Sequence, residues 1–88
     1  MSTSYRRNPD TAGRIVDGLA FVVTPEDNKL HTLNETATEM WILAEAGCTA
    51  EQAAQALVEQ FEVAFPEALR DVQVCLEDLV ERQILVAD

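Results

Sequence analysis

The side chains that could do chemistry here are one histidine, two cysteines and a large set of carboxylates. His31 is the single histidine, so any Ser-His or Cys-His nucleophilic pair has to use it. Cys48 follows Gly47 at the start of a helical stretch, where the helix dipole can lower a thiol pKa. Nothing in the sequence places His31 beside it, and the plainer reading is a strand histidine and a small loop cysteine. Cys75 lies on the flank of a later helix and reads as packing. The cysteines stand 27 positions apart with no C-x-x-C. With one histidine they are too few for a structural zinc site, which takes about four ligands. No metal or other cofactor is expected, and there is no Gly-rich loop to cradle phosphate.

The carboxylates fall on helix faces. Around the helix that begins near Pro66, Arg70, Glu77 and Glu81 point away from the apolar stripe and read as a solvated face. Asp71, Cys75, Asp78 and Arg82 lie together along one flank of that stripe. The flank is either an ordinary polar rim or one wall of a groove. Val74 falls among the polar residues of the same helix; it is either a single exposed valine or part of a partner surface.

The elements that must position these groups come in two halves. Arg14-Ile15-Val16 and Leu19-Ala20-Phe21-Val22-Val23-Thr24 flank Asp17-Gly18, a hairpin signal, because a type I′ turn needs positive φ at both central residues. Leu19, Phe21 and Val23 share one face of their strand. Pro25-Glu26-Asp27-Asn28 is a turn cluster, and Lys29-Leu30-His31-Thr32-Leu33 reads as a short third strand. Three helices follow. Asn34 is a good N-cap, and Ala37, Met40, Trp41 and Ala44 form an apolar stripe with Trp41 in the core. Gly47 ends that helix. Thr49 and Gln52 make a capping box for the second, whose stripe is Ala50, Ala53, Ala54, Leu57, Val58 and Phe61. Pro66 suits the first turn of the third, with Leu69, Val72, Leu76 and Leu79 as its stripe. The expected fold is a single α+β domain over residues 1–88: a three-stranded antiparallel sheet followed by three helices, in a small winged-helix-like arrangement. Within it, residues 1–12 are expected to be loose, 13–33 to form the β-meander, 34–83 the three-helix half, and 84–88 an extended tail.

Charge follows the same division. The chain has 88 residues, 48% of them hydrophobic, and a formal net charge of −10. Arg6, Arg7, Arg14 and Lys29 balance Asp10, Asp17, Glu26 and Asp27 in the first 33 residues, so the whole −10 resides in the helical half. A protein that neutralises phosphates needs a basic face, so this balance argues against nucleic acid and against anionic membrane surfaces. No apolar run approaches the roughly 20 residues of a membrane span. The N-terminus carries no apolar stretch of the kind that directs secretion, which makes the reducing cytosol the expected compartment and free thiols the expected state of both cysteines.

A short third strand at the end of a meander leaves an unpaired edge, a template for another chain. Lys29 is one way to blunt it; the functional alternative is that a peptide adds to it as a strand. The same open edge, with short hinges, also allows a homodimer by strand exchange.

The run Leu33-Asn34-Glu35-Thr36-Ala37, followed by Trp41 and then Gly47-Cys48-Thr49-Ala50-Glu51-Gln52, resembles the middle of the coenzyme PQQ synthesis protein D family. So do Val16-Asp17-Gly18 ahead of it and Asp71-Val72, Leu76 and Leu79 behind it. The similarity spans residues 5–86. It implies the small domain called a RiPP recognition element and the role of a non-catalytic peptide chaperone. Such a protein binds the leader of a ribosomally made precursor peptide and presents it to a modifying enzyme, commonly a radical SAM enzyme. The leader is implied to add to the third strand beside the third helix, which puts Lys29, Leu30, His31, Thr32 and Leu33 on one wall. Asp71, Cys75 and Asp78 stand on the other; only Asp71 belongs to a matched motif, and the other two come from the helical wheel. Pro25-Glu26 matches members tied to PQQ itself, whereas Met40-Trp41 is closer to the generic branch, which leaves the end product open between PQQ and another RiPP.

Two further readings come from other classes. A winged-helix DNA-binding regulator fits the architecture, but residues 66–82 set Arg70 and Arg82 against Glu67, Asp71, Glu77, Asp78 and Glu81, the wrong sign for a major groove. A small enzyme would have to rest on His31 or Cys48, with no substrate suggested.

Overall fold

Asp17 and Gly18 both take positive φ, 53° and 82°. They join β2 (Ala12–Val16) to β3 (Leu19–Thr24) with Val16 opposite Leu19, the tight two-residue hairpin that the Asp-Gly pair predicts. β4 (Lys29–Thr32) then returns antiparallel along the other side of β3, with Val22 opposite His31. The expected three-stranded sheet is therefore present, in the order β2-β3-β4. This computed structural model describes residues 3–88.

The face of β3 turned to the core carries Ala20, Val22 and Thr24, all 2% exposed or less. Leu19, Phe21 and Val23 share the opposite face. Every residue from Leu19 to Val23 is apolar, so alternation cannot choose the side. The small Ala20 lets the first helix come close enough for the Thr38 hydroxyl to accept the Ala20 amide at 2.9 Å.

That helix, α1 (Glu35–Leu43), starts where expected: the Asn34 side chain accepts the Ala37 amide at 2.8 Å. α2 (Ala50–Gln60) carries the reciprocal capping box, with Thr49 Oγ1 accepting the Gln52 amide and Gln52 Oε1 accepting the Thr49 amide. α3 (Phe65–Glu81) places Pro66 in its first turn and buries Ala68, Val72, Leu76 and Leu79. These residues meet Met40, Trp41, Ala53, Ala54 and Leu57 in one core. Phe61, expected at the end of the α2 stripe, lies outside it. The helix stops at Gln60, Phe61 takes an extended backbone, and its ring is 41% exposed.

The N-terminal dozen residues depart from expectation. Instead of a loose segment, Ser4–Arg7 forms β1, the centre of a second sheet. It pairs antiparallel with β5 (Cys48–Thr49) on one side and β6 (Leu85–Ala87) on the other. The chain ends are thereby tied together, and the tail is extended as expected. Arg7 adds a clamp: its Nε donates to the Trp41 carbonyl at 2.8 Å and its guanidinium lies 4.0 Å over the indole ring. Gly13 covers another part of the same indole so closely that a Cβ there would stand 2.6 Å from a ring carbon.

Candidate functional site

β4 pairs with β3 along one edge only. The Leu33 amide donates to the Ala20 carbonyl at 2.9 Å directly across the register, which makes Leu33–Ala20 a hydrogen-bonded position. Antiparallel pairs alternate, so the main-chain groups of Lys29 and His31 also face β3, while those of Leu30 and Thr32 face away from the sheet. The open edge of β4 is thus two peptide units, at Leu30 and Thr32. Leu33, expected as the last residue of that strand, lies past its end: the side chain is buried, the amide is used by Ala20, and the carbonyl accepts the Thr38 hydroxyl at 3.3 Å.

His31 does not reach a nucleophile. Its Nε2 lies 3.0 Å from the Thr24 hydroxyl, which also bonds the Asp27 carboxylate. That bond holds the Asp27 carboxyl below the usual range and ties the β3–β4 turn together. Cys48 is neither a loop residue nor an activated thiol: it is buried in β5 opposite Tyr5, and burial pushes its thiol up. No cysteine–histidine pair forms among the described residues. Both cysteines are free, and no group of three His, Cys, Asp or Glu residues among those described is placed to hold a metal ion.

The structure brings Asp71, Cys75 and Asp78 of α3 together on the wall of one open groove of about 430 Å3. The facing wall is Asn34, Thr36 and Ala37, where the chain leaves β4 and enters α1; Lys29, Leu30, His31, Thr32 and Leu33, expected on that wall, do not line this groove. Val74, 65% exposed, completes the lining, which accounts for an apolar residue among the polar ones of α3. Asn34, Thr36 and Ala37 carried no signal as site residues, because which side of α1 faces α3 is decided by tertiary packing. The electrostatics are acidic. Asp78 pairs with Arg82 at 3.1 Å, both half-exposed, and Asp71 forms no ion pair among the described residues. Burial, with the Asp78 carboxylate next, pushes the Cys75 thiol up to about 11. At neutral pH Cys75 is therefore a protonated, weakly polar side chain, suited to contact rather than to attack. One acidic wall, apolar residues beside it, and an unpaired strand edge that ends two residues before Asn34 suit an extended peptide better than a small substrate. Among the described residues, no helix is long and apolar enough to cross a membrane.

Comparison with known proteins bears on this arrangement. No curated protein matches the chain. Among solved structures it is similar to TbiB1, solved in complex with the TbiA(beta) leader peptide, with a TM-score of 0.84 at 19% identity over 91% of this chain and 93% of that one. It is similar also to lasso peptide synthetase B1, complexed with the leader peptide, with a TM-score of 0.81 at 22% identity over 93% of this chain and 96% of that one. At these identities the likeness is one of fold. The family model for coenzyme PQQ synthesis protein D matches residues 20–85, from β3 through all three helices to the last strand. The chain belongs to the coenzyme PQQ synthesis protein D family.

Proposed function

We propose that this protein is a non-catalytic peptide chaperone that binds the leader of a ribosomally synthesised precursor peptide. The leader adds as a strand to the outer edge of β4 and lays its side chains against Asp71, Val74, Cys75 and Asp78. The protein then presents it to a modifying enzyme of the radical SAM class. The observation that supports the reading is the pair of unpaired peptide units, Leu30 and Thr32, on a strand that ends two residues before Asn34, a lining residue of the α1–α3 groove. Main-chain pairing supplies affinity and the groove supplies selectivity. Two proteins of the same fold bind leader peptides, which supports the role. The −10 charge favours a partner with a basic surface. It opposes DNA binding, since α3 presents mostly carboxylates.

Calorimetric titration with the leader of the precursor encoded beside this chain tests the proposal. Thr32→Pro removes an outward-facing donor while leaving the β3–β4 bonds in place. One net hydrogen bond is worth about 0.5–1.5 kcal/mol, so affinity should fall about 2- to 12-fold from that loss alone. Ile15→Pro, on the outer edge of β2, should leave it unchanged. Equal affinity for wild type and Thr32→Pro, or flat heats with the wild-type chain, refutes the reading.

A further inference from the structure

α1 has a second exposed side. Glu35, Thr38, Glu39 and Ile42 line a separate open groove of about 350 Å3, together with Asp17, Gly18 and Leu19 of the hairpin and with Gln60 and Phe61. At about 100° per residue, the centre of this set lies roughly 160° around the helix from the centre of Thr36 and Ala37, which line the groove against α3. The two grooves therefore occupy opposite sides of α1.

The composition of the second groove calls for an occupant. Ile42 and Phe61 are 45% and 41% exposed, two of eight large apolar side chains left in water among the described residues, and here they stand together with Leu19. Asp17, Glu35 and Glu39 rim this apolar floor, and no Lys or Arg lines it. Glu39 is held in place by Gln60, whose Nε2 donates to its Oε1 at 2.8 Å. The hairpin reaches this groove by its turn, not by a strand edge, so the groove offers side-chain anchoring with no main-chain ladder. An extended leader would gain little there; a folded segment with one apolar anchor would gain a pocket.

We propose that this groove docks a segment of the modifying enzyme in which an apolar side chain is flanked by Lys or Arg. The apolar side chain packs among Leu19, Ile42 and Phe61, and the cations meet Asp17, Glu35 and Glu39. The identity of the partner rests on the leader-binding reading above; the acidic apolar groove does not. With docking on one side of α1 and the leader on the other, both can be held at once, as a presenting role requires.

The test immobilises the full chain and measures binding of the modifying enzyme encoded beside it, by biolayer interferometry at low and high salt. Phe61→Ala and Ile42→Ala each remove an exposed side chain and leave the core intact; each should weaken enzyme binding about tenfold or more, as truncating a central apolar anchor does. Glu39→Lys should do the same and reduce the salt dependence of the association rate. Leader affinity, titrated separately, should stay at the wild-type value in all three, and circular dichroism confirms that each is folded. Val74→Ala, on the other groove, should leave enzyme binding unchanged. Enzyme binding unaffected by all three substitutions, lost only in Val74→Ala, or absent in the wild-type chain overturns the inference. Failure of the leader titration with enzyme binding intact overturns the leader reading alone.

Discussion

Thr38 sits at the joint between the sheet and the helices, and replacing it separates two accounts of how β4 is held. At the Ala20–Leu33 position an ordinary ladder exchanges two hydrogen bonds. Here only one is direct, from the Leu33 amide to the Ala20 carbonyl. The other is replaced by a hydroxyl: the Ala20 amide donates to Thr38 Oγ1 at 2.9 Å, and that hydroxyl donates to the Leu33 carbonyl at 3.3 Å. Ala20 is 0% exposed and Thr38 4%, so no solvent stands in for a lost partner. Thr38→Val keeps the shape, leaves a buried amide without an acceptor and loses the bond to Leu33. Together these cost about 2–3 kcal/mol. For a domain of this size that lowers the melting temperature by roughly 10–20 °C. Thr38→Ser keeps both bonds and loses one buried methyl, about 1 kcal/mol. Urea denaturation followed by circular dichroism measures both variants, and hydrogen exchange at the Ala20 amide reads the joint directly. Thr38→Val should be the less stable by about 1–2 kcal/mol and should exchange faster at Ala20. A valine variant as stable as the serine one would refute the hydroxyl bridge.

The indole of Trp41 reports on two neighbours. Gly13→Ala puts a Cβ 2.6 Å from the ring and 3.2 Å from the Phe21 carbonyl, so the ring or β2 must shift. The expected cost is about 1–3 kcal/mol, with a changed tryptophan emission, and unchanged emission and stability would refute the close contact. Arg7→Lys keeps the charge but cannot reproduce a guanidinium that both stacks on the ring and donates to the Trp41 carbonyl, so about 1 kcal/mol should be lost in urea denaturation; no loss would show that charge alone matters. Cys75, with its thiol pushed up to about 11, should react slowly with iodoacetamide at neutral pH. Deprotonation increases as pH rises, so its alkylation rate should climb about tenfold per pH unit to about pH 10, whereas an ordinary thiol levels off near 8.5. Mass spectrometry of the modified peptide distinguishes the two.

What could be read in the sequence was what local chemistry determines. Asp17-Gly18, Asn34, the Thr49–Gln52 box and Pro66 each act within a few residues, and each is where its local rule puts it. β1 was illegible because Ser4-Tyr5-Arg6-Arg7 has no alternation, and its partners, Cys48–Thr49 and Leu85–Ala87, lie in distant parts of the chain. The buried face of β3 was illegible because both faces are apolar. Phe61 continued a helical spacing past the residue where the helix stops, so a period that predicted burial marked an exposed ring. In the candidate site, one wall was legible and the other was not. Asp71, Cys75 and Asp78 share a flank by helical geometry alone, and Val74 was conspicuous as an apolar residue on a polar side. The facing wall depends on how α1 rolls against α3, and that is fixed by Met40 and Trp41 packing into a core assembled from the whole chain.

The distribution of charge completes the physical case for an open strand edge. An unpaired edge invites its own kind as readily as any other chain, and proteins that keep one must discourage self-pairing. Here the sheet half is neutral and the helical half carries the full −10. Two copies meeting edge to edge would each bring that −10, and like charges repel. A peptide without that acidic load meets no such barrier. If the leader adds to β4 as proposed, the carboxylates of α3 favour a neutral or basic chain there over a second copy of this one. On the proposed reading, selectivity of this kind needs no further contact with the peptide: it follows from the sign of the charge on the α3 wall.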